Sequence, residues 1–130
     1  MCLELVAVIS PTAKVAVSAK RLSAASGLGV TNAKFCGEAA LHFSVAGGCS
    51  CEFLGDNADP ESPEWALDAK HLPALASAVE LLGTECRKFS LLAHWLSGEQ
   101  PRTTEAVSRA VLVTRIRENR VGNNVLYRVG

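Results

Sequence analysis

Cys49 and Cys51 stand one residue apart in "AGGCSCEFLGD", Ala46 to Asp56, behind a Gly-Gly pair. A C-x-C pair can hold zinc or another soft metal, with Cys36, Cys86 or His42 as the side chains that would complete the ligand set. The same two thiols can instead carry redox or nucleophilic chemistry. Spacing alone argues against a preformed metal site. Alternate Cα atoms on an extended strand lie roughly 6.6 Å apart, so the backbone must bend before both sulfurs reach one ion. Buried among apolar neighbours, the pair would behave as small hydrophobes with little reactivity.

The register of the segment decides between these readings. "LHFSV" (41–45) and "CSCEFL" (49–54) alternate with period two around Ala46-Gly47-Gly48, which predicts a hairpin. A three-residue loop pairs Val45 with Cys49, Phe43 with Cys51 and Leu41 with Phe53, and places both thiols on an apolar face. A two-residue loop pairs Ser44 with Cys51 and His42 with Phe53, and brings the thiols beside His42. Burial of one consistent face favours the first register, and with it a core role for the cysteines.

Other residues offer less. Removal of Met1 would expose Cys2 as an N-terminal nucleophile, but Cys2 runs straight into an apolar strand. His94, between Leu92 and Leu96, is the candidate acid–base residue, against the plainer role of a hydrogen-bonded group on a sheet face. His71, beside Pro73, reads as a surface group. Asp56, Asp59, Glu61 and Glu64 lack the ordered spacing of a calcium loop. Arg109, Arg115, Arg117 and Arg120 read as a solvated helix face. "SGLGVTN" (26–32) matches neither glycine-rich phosphate fingerprint, and no G-x-S-x-G elbow is present.

The elements that must position these residues follow from periodicity. Leu3 to Ile9 is an apolar strand, and Pro11-Thr12 opens a helix to about Ser26 that Gly27 stops. Residues 28–40 are ambiguous, with room for a short edge strand. After the hairpin, Ser62 and Pro63 open a second helix carrying Leu72, Leu75, Ala76, Val79 and Leu82, kinked or divided near His71 by Pro73. A strand at 86–96 follows. Thr103 or Thr104 then caps a third helix to about Asn119 through Val107, Ala110, Val111 and Ile116, and "VLYRV" (125–129) is the last strand. The order predicts an α+β fold: a ferredoxin-like β-α-β-β-α-β core with an antiparallel sheet, extended by a C-terminal α-β unit, in one domain over residues 1–130.

Composition sets the remaining bounds. Thirteen basic and 13 acidic residues give no net charge, so general attraction to nucleic acid or to an anionic membrane is not expected. The start lacks a signal-peptide pattern, and no segment is apolar enough to span a membrane. Five cysteines, an odd number, fit a reducing cytoplasm better than a disulfide framework. Phe89, Leu91, Ala93 and Trp95 point to one face of their strand, while Leu92, His94 and Leu96 point to the other. Both faces being apolar, the third helix or a partner subunit is expected to cover the second, and a binding domain acting as a homodimer is the functional reading. A metal- or thiol-dependent site at Cys49 and Cys51, or an enzyme with a site near His94, are the alternatives.

Overall fold

A computed structural model describes residues 3–10, 17–45, 49–55, 67–95, 103–122 and 124–130, with the backbone alone for His94 and Trp95. The architecture is α+β: six strands in one sheet and three helices. The strands are β1 (Leu3–Ile9), β2 (Gly29–Phe35), β3 (Glu38–Ser44), β4 (Phe89–Trp95), β5 (Thr103–Val107) and β6 (Val125–Val129). The helices are α1 (Ala19–Ser26), α2 (Leu72–Glu85) and α3 (Arg109–Arg117). The strands lie in the order β2-β3-β1-β4-β6-β5. All neighbours are antiparallel except β5 and β6, which are parallel and joined through α3. Two further strands therefore continue the sheet beyond β4, so the order differs from a four-stranded plait.

Helix ends follow local chemistry. The Ser18 hydroxyl accepts the Arg21 N–H at the start of α1, and Gly27 stops the helix with φ 77°. The predicted opening at Pro11-Thr12 lies outside the described residues, as do Ser62 and Pro63. Pro73 sits in the first turn of α2, where its missing N–H costs no helical bond, and a 3₁₀ turn over Ala69–His71 leads into the helix. The predicted helix ahead of His71 is corrected: Leu67 bridges Leu54 as extended chain, and only the 3₁₀ turn from Ala69 runs into α2.

Two further predicted elements are corrected. Thr103 and Thr104 belong to β5, and the cap of α3 is Ser108, whose hydroxyl accepts the Val111 N–H. This shift turns Leu112, Val113 and Ile116 inward and leaves Val111 44% exposed. The second correction concerns the hairpin. It runs from β2 to β3 through Cys36-Gly37, and residues 50–53 form a 3₁₀ turn. The reason is edge occupancy. All seven residues of β3 pair with β2 on one side, and Ala40, Leu41 and His42 pair with β1 on the other. A strand made of "CSCEFL" would find β3 taken along its whole length on one side and over Ala40–His42 on the other, with only the short stretch after His42 open. Cys36 and Gly37 carry φ of 50° and 81°, the positive pair that a two-residue turn between right-twisted strands requires.

The helices share one core. Leu22 of α1, Leu75, Val79 and Leu82 of α2, and Leu112 and Ile116 of α3 bury their side chains in the same cluster as Leu5, Leu41, Phe43 and Leu91. The opposite face of the sheet holds a separate, smaller cluster of Val6, Val8 and Leu92, with Phe35 and Leu126 packed against it. Both faces of the central strands are thus apolar, as the alternation in 89–96 predicts. No helix among the described residues is long and apolar enough to cross a membrane.

Candidate functional site

The site is built where β1 and β3 part. Pairing between them stops at Val6 and His42. Continued, the same register would set Leu5 opposite Phe43 and Leu3 opposite Val45. The chain instead returns after β3 and inserts Cys49, Ser50 and Cys51 into the gap. Their side chains take the place of the missing ladder bonds.

Ser50 is the central plug and is fully buried. Its hydroxyl accepts the Leu5 N–H at 3.1 Å and donates to the Phe43 carbonyl through a short contact. His42 Nε2 lies 3.1 Å from the same oxygen. The one hydroxyl proton serves Phe43, so the hydroxyl accepts from both Leu5 and a His42 ring protonated on Nε2. With its proton committed and no exposure, Ser50 is no nucleophile, although Ser and His stand within hydrogen-bond distance. The arrangement is a staple between two strands.

The cysteines flank this staple and serve Leu3. The Leu3 N–H donates to Cys51 Sγ at 3.2 Å, and Cys49 Sγ lies 3.8 Å from the Leu3 carbonyl. The Cys51 N–H turns back onto Cys49 Sγ at 3.3 Å, as a side-chain cap of the 3₁₀ turn. The two sulfurs are then 2.9 Å apart. Both are free thiols, Cys49 exposed and Cys51 half-buried against the main core. Phe53, two residues on, is fully buried and meets the edge of the His71 ring at 5.8 Å between centroids. It anchors the turn, and the backbone pair between Asp68 N–H and the Phe53 carbonyl, at 2.8 Å, ties it to the next segment.

The expectation that both thiols face inward is therefore corrected. Extended alternation would send Cys49, Cys51 and Phe53 to one side. The 3₁₀ turn breaks that alternation, buries Phe53 and Ser50, and leaves Cys49 in solvent. The turn also shortens the separation that made a C-x-C pair awkward on a strand.

The proposed metal set is not brought together. Cys36 sits at the β2–β3 turn, beyond the end of β1 where Val8 pairs with Ala40, while Cys49 and Cys51 contact Leu3 at the other end. His42 spends Nε2 on Ser50. Cys86 is buried, with its thiol donating to the Lys88 carbonyl at 3.1 Å. Among the described residues no three His, Cys, Asp or Glu side chains are grouped to hold a metal ion. The backbone of His94 pairs with Glu4 across β4 and β1. The side chain of His94 lies outside what is described, as do Cys2 and the acidic residues Asp56, Asp59, Glu61 and Glu64.

Arg115, Arg117 and Arg120, three of the four basic residues singled out in the sequence, have acidic partners at the surface. Arg115 grips the Glu105 carboxylate with both terminal nitrogens, at 2.7 and 2.8 Å, and its guanidinium lies 5.8 Å from the Tyr127 ring centroid. These contacts, the Glu105 hydrogen bonds first, push the Arg115 pKa up. Arg117 lies 3.6 Å from Glu80, and Arg120 lies 3.9 Å from Glu118. The sequence pattern drew attention to the cysteines but missed Ser50 and Leu3. A signal for Ser50 existed: a small hydroxyl residue between two thiols, in a segment whose neighbours are apolar, can supply hydrogen bonds where a ladder ends. No family model matches the chain, and no curated protein or solved structure matches it either.

Proposed function

We propose that this chain works through the paired thiols of Cys49 and Cys51, which close to a disulfide on two-electron oxidation by an external oxidant and reopen on two-electron reduction. One observation carries the proposal: two free sulfurs 2.9 Å apart, one of them exposed. Two thiolates on one tetrahedral zinc would stand roughly 3.8 Å apart, given zinc–sulfur bonds of about 2.3 Å. The closer approach, without a third ligand among the described residues, favours sulfur–sulfur bonding over metal binding. A core role accounts for Cys86 but not for the exposure of Cys49. The test is a thiol count on the folded protein before and after the oxidant diamide, with peptide mapping. Loss of two thiols, recovered as a Cys49–Cys51 link that dithiothreitol reverses, is the expected result. Unchanged reactivity of both cysteines would end the proposal.

The setting is part of the same proposal. A reducing cytoplasm is where such a pair would rest as free thiols. The first four strands with α1 and α2 are read as a ferredoxin-like unit, on which β5, α3 and β6 form an extension. Self-association is a second reading. It rests on the margin of the Val6, Val8 and Leu92 cluster, which is itself at most 8% exposed and lies on the sheet face away from the three described helices. Phe35 and Leu126, each half-buried, are the apolar side chains left at its margin for a second copy to cover. A dimer in sedimentation equilibrium at micromolar concentration supports this reading, and a monomer rejects it.

A further inference from the structure

Resting on the paired-thiol proposal, we infer that the co-substrate is a low-molecular-weight disulfide, with Cys49 as the attacking residue and Cys51 as the resolving one. The order follows from how the two sulfurs are held. Cys49 is exposed and caps a turn, so a small disulfide can reach it from solvent. Cys51 is pinned. Its sulfur accepts the N–H of Leu3, a residue 1% exposed on a central strand, and its side chain packs on the core. An external disulfide meets less open surface at Cys51, which is half-buried and holds the Leu3 N–H, than at exposed Cys49. Attack by Cys51 on the Cys49 sulfur of a mixed disulfide requires no such approach from solvent, because Cys49 Sγ is already 2.9 Å away.

The steps balance. Cys49, having lost its proton to water, attacks one sulfur of the external disulfide R–S–S–R. The external S–S bond breaks, one R–S⁻ leaves and takes up a proton, and a Cys49–S–S–R mixed disulfide forms. Cys51, also deprotonated, then attacks the Cys49 sulfur. The mixed S–S bond breaks, the second R–S⁻ leaves and is protonated, and the Cys49–Cys51 disulfide remains. Two thiols of the protein are oxidised and one external disulfide is reduced to two thiols.

Because the second step is intramolecular over a preset distance, the mixed disulfide is short-lived in the intact protein and is trapped when Cys51 is removed. The full chain, as wild type, Cys51→Ser, Cys51→Ala and Cys49→Ser, is reduced and exposed to glutathione disulfide at neutral pH. Samples are acid-quenched over time and mapped by mass spectrometry. Buried Cys86, unmodified, reports that each variant is folded. The Cys51 variants are expected to accumulate glutathione on Cys49. The wild type should show the Cys49–Cys51 link, with at least about tenfold less adduct, and Cys51 in Cys49→Ser should react at least about tenfold more slowly. Adduct on Cys51 forming as fast as on Cys49 overturns the order. A wild type that closes its disulfide with diamide yet is inert to glutathione disulfide overturns the co-substrate alone. A wild type in which neither reagent links the pair overturns the paired-thiol proposal as well.

Discussion

Replacing Ser50 with alanine removes a single oxygen that serves two buried backbone groups. The Leu5 N–H and the Phe43 carbonyl both bond to it, and both residues are at most 1% exposed. An unsatisfied buried donor or acceptor costs about 1–3 kcal/mol, so two together would cost about 2–6 kcal/mol if nothing moved. His42 loses a partner as well, but it is only half-buried and can turn to water. Partial closure of β1 toward β3 would recover some of the loss. The expected destabilisation is therefore about 2–4 kcal/mol. With a urea m-value of about 2 kcal/mol/M, the unfolding midpoint should fall by about 1–2 M. Urea titration followed by circular dichroism measures this directly, and Ser50→Thr, which keeps the hydroxyl, serves as a partial rescue. A loss below about 0.5 kcal/mol for Ser50→Ala would refute the argument that the hydroxyl substitutes for a ladder bond.

Further expectations concern the β2–β3 turn and the segment that leads into α2. Gly37→Ala places a side chain at φ 81° in the β2–β3 turn and should cost about 1 kcal/mol in urea unfolding, with an unchanged m-value. The Asp68 carboxylate accepts the Lys70 N–H at 3.1 Å, and that bond, with the Lys70 ammonium adding to it, holds its pKa below the ordinary carboxylate value. The unfolded chain thus binds the proton more readily, and the stabilisation is present above the unfolded pKa and is lost as pH falls through the lower folded pKa. Asp68→Asn should therefore differ most from wild type at neutral pH and converge with it in acid. A constant difference across a pH series of urea midpoints would contradict this.

Much of the fold was legible because its elements carry strong local signals. The last strand begins and ends where "VLYRV" does, and the spacing of Leu72, Leu75, Ala76, Val79 and Leu82 marks the buried stripe of α2. The failures have physical causes. "LHFSV" and "CSCEFL" each alternate well, but periodicity is blind to whether a strand edge is already taken, and β2 takes the edge of β3. β2 itself hid because Thr31, Asn32 and Lys34 are exposed, as an edge strand tolerates, and because its turn uses Cys-Gly in place of the common Asn-Gly. β5 is five residues long with exposed threonines, so Thr103 and Thr104 resembled helix caps while the true cap, Ser108, lay one turn on.

At the site, the sequence supplied the thiols but not their surroundings. Nothing in the spacing of Cys49, Ser50 and Cys51 says that β1 and β3 part beside them. The hydrogen-bond needs of Leu3 and Leu5, left without a β3 partner on that side of β1, fix which way each of the three side chains turns.

The paired-thiol account meets its most direct test in a redox titration of the folded protein. Samples equilibrated in glutathione buffers of graded potential are quenched and mapped for the Cys49–Cys51 link. The expected curve is one reversible transition with a two-electron slope, a tenfold change in the oxidised-to-reduced ratio for every change of about 30 mV. It should be absent from Cys49→Ser and Cys51→Ser alike. Thiols that stay reduced across the whole range, or oxidise only as separate mixed disulfides, would contradict it.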